Sequence, residues 1–145
     1  MRKFEVVKGI LEEDIVLPYR KTRNSAGYDV FALEDTVIEA KDRVLVRTGV
    51  KANFFDDEFL MLVNRSSGPK KGLYLANGIG IIDSDYYGCD ANDGELLFQF
   101  INVSDNQVII NKGDGIGQAI FMKYLLTDDD TASGDRMGGF GSTDK

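Results

Sequence analysis

The sequence predicts an all-β fold, a jelly-roll-like barrel or sandwich of short strands followed by a flexible C-terminal arm. Sixteen glycines divide the 145 residues into short segments, and several of these alternate between apolar and polar positions as half-buried strands do. A hydrophobic fraction of 43% is sufficient for a compact core. The length suits one domain, at roughly 150 residues per domain. We therefore expect a β domain over residues 1–126 and an arm over residues 127–145.

The alternation is clearest in residues 43–50, where three valines and Thr48 share one face of the predicted strand. Alternation or short apolar runs predict further strands at residues 58–63, 96–101, 108–110 and 116–126. The run at 58–63 is typical of a fully buried strand. Residues 33–44 have apolar residues at helical spacing, but the β-branched residues 36–38 favour a strand.

The predicted arm differs in composition from the rest of the chain. Residues 127–145 are rich in Asp, Gly, Ser and Thr, and their only large apolar residues are Met137 and Phe140. Such a segment cannot bury enough apolar surface to remain ordered by itself. We expect it to be mobile without ligand and to close over a bound one.

The composition excludes several kinds of chemistry. The chain has no histidine, which excludes Ser-His-Asp and Cys-His nucleophiles and zinc sites that contain histidine. Acid–base catalysis then falls mainly to carboxylates, and a metal site would have oxygen ligands, which favours Mg²⁺. The net charge of −7 argues against direct nucleic-acid binding, since the phosphate backbone requires a broad basic surface.

The same sequence indicates a cytoplasmic protein that does not associate with membranes. Its single cysteine, Cys89, cannot form a disulfide framework. No apolar run approaches the roughly 20 residues of a membrane helix. Charged residues interrupt the apolar ones at the N-terminus, unlike in a secretory signal.

Five short segments could carry chemistry, although each of them alone is also typical of an ordinary turn or loop. They are AGYDV (26–30), NRSSG (64–68), NGIGIIDSDYYG (77–88), KGDGIGQAIF (112–121) and GDRMGGFGST (134–143). The second and fifth combine glycine, hydroxyl side chains and an arginine, which can bind phosphate oxygens through backbone amides and a guanidinium group. In the third, Asp83 follows a pair of isoleucines, and a carboxylate held in such a place can act as a general base for water.

In this order, the five segments resemble the five motifs of the dUTP pyrophosphatase (dUTPase) family, over nearly the whole chain from Ala26 to Thr143. GIIDSDYYG and GGFGST are the most specific. The resemblance implies a homotrimer with active sites shared between subunits, which hydrolyses dUTP to dUMP and pyrophosphate with Mg²⁺. Ser67 and a short insertion at residues 89–94 are similar to phage and Gram-positive bacterial members.

The resemblance also implies roles for individual residues. Asp83 would activate the water that attacks the α-phosphorus, Tyr86 would pack under the deoxyribose and exclude a 2′-hydroxyl, and Asn77 would read the uracil edge. Asp29 would lie near the Mg²⁺, through water molecules, and Phe140 would cover the uracil ring. The phosphate chain would be held by Arg65, Ser66 and Gln118, with Arg136, Ser142 and Thr143 at the γ-phosphate. Further substrate contacts are implied for Ser67, Gly80, Ile82 and Gly141.

Two departures from the family pattern affect phosphate binding. Gly115 replaces an arginine that is usual in the fourth motif, and Arg136 lies one residue closer to GGFGST than in the common form.

Two other functions remain open at this point. A dCTP deaminase would share the fold and the Arg-Ser-Ser stretch, but it needs a glutamate where this chain has Gln99, which cannot transfer a proton. A β-sandwich that only binds a partner, or a dUTPase fold acting through a regulatory protein partner, is the second alternative.

Overall fold

The computed structural model describes residues 1–139, and its regular structure consists of eleven strands and three short 3-10 turns. The strands are β1 (Lys3–Val6), β2 (Tyr28–Phe31), β3 (Thr36–Ile38), β4 (Arg43–Arg47), β5 (Val50–Asn53), β6 (Glu58–Asn64), β7 (Leu73–Leu75), β8 (Gly80–Asp83), β9 (Leu97–Asn102), β10 (Val108–Ile110) and β11 (Gly115–Lys123). The 3-10 turns cover Glu12–Asp14, Pro69–Lys71 and Ser84–Tyr86. Among residues 1–139, no helix has the length and apolar character that crossing a bilayer requires.

The strands pair antiparallel in four small sheets, so the described chain forms a sandwich-like jelly roll and not a closed barrel. The sheets have the orders β1-β5, β10-β3, β2-β11-β6-β8 and β4-β9-β7. The all-β prediction is confirmed. Short antiparallel strands of this kind can bury one face against a second sheet and leave the other face outside.

The four-stranded and three-stranded sheets share one apolar core. Leu60 and Leu62 from β6 and Phe98 and Phe100 from β9 are each at most 2% exposed. The two phenylalanine rings stack with centroids 6.0 Å apart. Gly117 lets β11 approach this core closely, because a Cβ there would lie 2.7 Å from the carbonyl oxygen of Val63.

The predicted strands form, with most boundaries within one residue of the predicted ones and three larger differences in extent or burial. The strand predicted at 43–50 is interrupted after Arg47, since Gly49 adopts a φ of +71° that turns the chain before β5. In β6, buried residues alternate with half-buried ones, because only one face of the strand lies on the core. The last strand ends at Lys123, three residues before the predicted end at 126.

Candidate active site

The predicted site residues lie in two clusters, and Asp83 and Arg65, one from each, lie at opposite ends of strand β6. Asp83 pairs with Phe59 near the start of β6. Arg65 follows Asn64, the last residue of the strand. The extended chain from Phe59 to Arg65 spans about 20 Å, at about 3.3 Å per residue. One subunit therefore holds two separate half-sites, which we call the cationic pocket and the Asp83 pocket.

The cationic pocket is a cavity of about 430 Å³. Its lining residues come from the chain before β2, from β2 itself, from the turn after β6 and from β11; they are Lys21, Thr22, Ser25, Gly27, Asp29, Arg65, Ser66, Ser67, Lys70 and Gln118. The predicted residues Asp29, Arg65, Ser66, Ser67 and Gln118 are thus brought together. Three cationic side chains, three serine hydroxyls and one threonine hydroxyl form an environment suited to a phosphate chain.

Glycines make room for two of the polar side chains in this pocket. A Cβ at Gly27 would lie 2.5 Å from Oε1 of Gln118, and a Cβ at Gly115 would lie 2.7 Å from Nη1 of Arg65. Arg65 uses the space at Gly115 to donate a hydrogen bond of 2.5 Å to the Gly115 carbonyl oxygen. The departure at Gly115 therefore has a structural consequence, because the absence of a side chain leaves the space that the Arg65 guanidinium occupies.

Asp29 lies on β2 in the same pocket, half-buried, with its carboxylate 3.9 Å from the Lys21 ammonium. Within residues 1–139, no group of three or more carboxylate or thiol side chains is placed to hold a metal ion. A single carboxylate fits an Mg²⁺ that is bound mainly by substrate phosphates and water, which is the usual mode for this ion.

The Asp83 pocket is a cavity of about 340 Å³ with mostly apolar walls. It is lined by residues of β6 to β9, the β7–β8 turn, the 3-10 turn after β8 and the segment after β11: Leu62, Leu75, Asn77, Ile79, Gly80, Ile81, Ile82, Asp83, Tyr86, Leu97, Phe98, Gln99, Arg136 and Gly139. The predicted residues Asn77, Gly80, Ile82, Asp83, Tyr86 and Arg136 are all among them. Gly80 allows close packing at this point of the pocket wall, since a Cβ there would lie only 3.1 Å from the Cβ of Leu62.

Asp83 is the last residue of β8, at the edge of this pocket, and its side chain is 54% exposed. Its carboxylate forms an ion pair with the guanidinium of Arg136. The Nε of Arg136 donates a second hydrogen bond of 2.6 Å to Asp85, and this carboxylate holds the pKa of Arg136 above its usual range. In this chain, the arginine predicted at the γ-phosphate contacts the predicted general base.

Tyr86 lies in the 3-10 turn after β8 and is 4% exposed. Its hydroxyl donates a hydrogen bond of 2.6 Å to the carbonyl oxygen of Glu95 and accepts one of 2.8 Å from the side chain of Asn92. Burial raises the pKa of Tyr86 to about 12. The backbone of Gly139 packs on the tyrosine, because a Cβ at Gly139 would lie 2.6 Å from a ring carbon.

Four predicted residues, Phe140, Gly141, Ser142 and Thr143, lie outside the described residues. The structure also adds residues that the sequence analysis missed. Lys21 and Lys70 line the cationic pocket, and their positive charge beside two of the motifs was the available signal. Asp85 and Asn92 contact Arg136 and Tyr86, but these contacts depend on turn geometry that no sequence pattern reveals.

Comparisons with known proteins show to which family the chain is related. The dUTPase family model matches residues 13–143. A deoxyuridine 5'-triphosphate nucleotidohydrolase from Lactococcus lactis subsp. lactis (strain IL1403) is 42% identical over 146 residues, covering 99% of this chain and 97% of the relative. The crystal structure of a dUTPase from Streptococcus mutans superimposes with a TM-score of 0.83 and 43% identity, over 86% of this chain and 98% of that one.

A more distant likeness concerns the fold alone. The dUTPase of phage phi11 of S. aureus, described with a structural Mg(II) ion, has a TM-score of 0.74 at 18% identity, with 92% of this chain and 97% of that chain covered.

An all-β chain with a carboxylate at an apolar pocket and a separate cationic pocket has the features of a nucleotide-phosphate hydrolase. With the family model matched over most of its length, the chain belongs to the dUTPase family.

Proposed function

We propose that this chain hydrolyses dUTP to dUMP and pyrophosphate, and thereby limits uracil incorporation into DNA and supplies dUMP for dTMP synthesis. The observation that carries the proposal is the position of Asp83, at the mouth of an apolar pocket that also contains Tyr86 and Asn77. A carboxylate there lies beside any nucleoside that fills the pocket. Membership of the dUTPase family supports the same substrate.

The nucleoside part of the substrate occupies the Asp83 pocket. The ring of Tyr86 lies against the deoxyribose and leaves no space for a 2′-hydroxyl. Asn77, in the β7–β8 turn, and the backbone beside it bond to the uracil edge. Hydrogen bonds of this kind give strong base selectivity, because a wrong base leaves polar groups of the site unpaired.

Asp83 acts as the general base. Its carboxylate accepts a proton from a water molecule as the water oxygen forms a bond to the α-phosphorus, and the bond to the departing pyrophosphate breaks. The exposure of the Asp83 side chain leaves room for that water at the pocket edge. Arg136 must then release Asp83, and in the proposed reaction its guanidinium moves to the phosphates.

The phosphate chain is bound by the residues of the cationic pocket. Arg65 and Gln118 donate hydrogen bonds to phosphate oxygens, and the hydroxyls of Ser66 and Ser67 add further donors. Asp29 would hold Mg²⁺ through its water ligands. Such an ion neutralises charge that develops on the phosphate oxygens.

A homotrimer with shared active sites unites the two half-sites. In one chain Asp83 and Arg65 lie at opposite ends of β6, about 20 Å apart along the strand. In a closed ring of three subunits, the cationic pocket of one subunit can adjoin the Asp83 pocket of the next, so that the two together form one active site. Sedimentation of the purified protein checks the predicted trimer.

The test of the proposal is a panel of dUTP, dCTP, dTTP and UTP incubated with Mg²⁺, with pyrophosphate and ammonia both measured. We expect pyrophosphate chiefly from dUTP, much less from the other three nucleotides, and no ammonia. Gln99 lines the Asp83 pocket with an amide in place of a carboxylate, and it cannot transfer a proton to a base. Ammonia from dCTP, or intact dUTP, would contradict the proposal.

A further inference from the structure

The loop of residues 89–94 supports Tyr86 from behind through Asn92. The Nδ2 group of Asn92 donates a hydrogen bond of 2.8 Å to the Tyr86 hydroxyl. That hydroxyl in turn donates its proton to the Glu95 carbonyl oxygen at 2.6 Å. With both its donor and an acceptor site engaged, the end of the tyrosine side chain is fixed at two points.

The amide of Asn92 is itself held in one orientation. Its Oδ1 accepts hydrogen bonds from the backbone amide of Gly94 at 3.1 Å and from the thiol of Cys89 at 3.3 Å. These two donors require an oxygen at that position, so the nitrogen must face Tyr86. Gly94 has a φ of +81°, and a Cβ on it would lie 2.6 Å from the carbonyl oxygen of Tyr86.

Asp93 anchors the same loop to the β domain. Its carboxylate accepts hydrogen bonds of 2.8 Å from the Lys51 ammonium on β5 and of 2.9 Å from the backbone amide of Lys8. Backbone hydrogen bonds from Gly88 to Asp93 and from Asp93 to Cys89 close the loop. These contacts determine the position of the loop relative to the sheets, and the hydrogen bond from Asn92 then positions the Tyr86 side chain relative to the loop.

We infer that Asn92 is a positioning residue that sets the selectivity of the site for deoxyribose over ribose. The inference rests on the proposed function, in which the ring of Tyr86 excludes the 2′-hydroxyl. Steric exclusion of a single oxygen atom requires the Tyr86 ring to be positioned to within a fraction of the diameter of that atom. Asn92 fixes that position without contacting the nucleotide.

The experiment compares kcat/KM for dUTP with kcat/KM for UTP in Asn92→Ala, which removes the donor to Tyr86. We expect the ratio to fall about five- to tenfold, chiefly through faster UTP hydrolysis, because the hydrogen bond to the Tyr86 hydroxyl is lost. A merely structural role would lower the activity on both nucleotides alike and leave the ratio unchanged. Asn106→Ala is the matched control, because Asn106 lies exposed in the turn after β9.

A double-mutant cycle with Tyr86→Phe tests the bond from its other end. Removing the tyrosine hydroxyl should lower the ratio by a similar factor, and adding Asn92→Ala to Tyr86→Phe should lower it little further. If Asn92→Ala proves unfolded at the assay temperature, Asn92→Asp takes its place, because it removes the amide donor to Tyr86 and keeps the oxygen that accepts the hydrogen bond from Gly94.

The outcomes separate this inference from the proposed function. Failure of the unaltered protein to hydrolyse dUTP would overturn the proposed function. The role of Asn92 alone would be overturned if folded Asn92→Ala and Tyr86→Phe both kept the normal ratio of kcat/KM for dUTP to kcat/KM for UTP while Tyr86→Ala lost it. A reduced ratio in both of these variants supports it.

Discussion

Arg136, from the segment after the last strand, forms an ion pair with Asp83, the residue proposed to activate water. The Arg136 side chain is 18% exposed and also bonds to Asp85. The positive charge of the guanidinium thus lies against the carboxylate of the proposed general base. Binding of a triphosphate offers the guanidinium a more strongly charged partner, and its transfer would free Asp83 for the reaction.

Replacement of Arg136 by methionine should therefore lower kcat/KM for dUTP by about a hundredfold, because charged hydrogen bonds of roughly 1.5–3 kcal/mol to phosphate are lost. Arg136→Lys keeps the charge but not the planar fork, and it should recover only part of the loss. Arg23→Met, at an exposed position before β2, is the control. An Arg136→Met enzyme with normal kcat/KM would show that this arginine has no part in phosphate binding.

Gly115→Ala should displace Arg65, since the new Cβ would lie 2.7 Å from Nη1 of that side chain. Arginine is flexible enough to move, so we expect a several-fold higher KM for dUTP with little change in thermal stability. In an Arg65→Met background, Gly115→Ala should have no further effect on KM. Equal effects in both backgrounds would mean that Gly115 acts on the site by another route.

The pair formed by Lys51 and Asp93 should stabilise the fold, because the two side chains are only 11% and 13% exposed and lie 2.8 Å apart. Lys51→Met should lower the free energy of unfolding by about 1–2 kcal/mol. Lys123→Met is the matched control; its partner Asp57 is 3.4 Å away and both side chains are mostly exposed, so we expect about 0.5 kcal/mol or less. Chemical denaturation at pH 7 measures both values.

The Lys51–Asp93 pair should also make the free energy of unfolding depend on pH in the acidic range. The hydrogen bond from Lys51 holds the pKa of Asp93 below its ordinary value of 3.8. The stabilisation is therefore present above that value and is lost as the pH falls through the lower pKa of the folded state. The difference in unfolding free energy between the unaltered protein and Lys51→Met should shrink over this range, and a constant difference would contradict the assignment.

Tyr86 should have the opposite effect in alkali. Burial raises its pKa from 10.0 to about 12. Its contribution to the free energy of unfolding is therefore complete below pH 10 and falls as the pH rises towards 12. Tyr86→Phe should reduce the loss of stability between these limits, by an amount of order 1–2 kcal/mol. Tyr74→Phe, on an exposed position of β7, controls for the removal of a tyrosine. Equal pH dependence in all three proteins would contradict a buried Tyr86 hydroxyl.

The sequence predicted the fold class and most of the longer strands because their apolar residues alternate. It missed β1 and β7, whose four and three residues are too few to distinguish a strand from a loop; the equally short β10 was predicted because its three residues are an unbroken apolar run. The boundary at Gly49 also escaped prediction, since valines continue in phase on both sides of it. Its left-handed backbone conformation turns the chain there.

The sequence predicted which residues line the two pockets, but it did not predict how the pockets are arranged in space. The motifs contain the residues of both pockets, yet nothing in their order indicates that β6 separates Asp83 from Arg65. The pairing of Arg136 with Asp83 and the support of Tyr86 by Asn92 are contacts between residues 53 and 6 positions apart. Contacts of this kind follow from tertiary packing, which residue type alone does not determine.

The most direct test of the account is pyrophosphate release from dUTP by Asp83→Asn, measured in a single turnover with Mg²⁺ and with nucleotide binding followed in parallel. The amide matches the carboxylate in shape but cannot accept a proton from water. We expect dUTP to bind while its hydrolysis falls by at least roughly a hundredfold. Hydrolysis near the rate of the unaltered protein would show that another group activates the water.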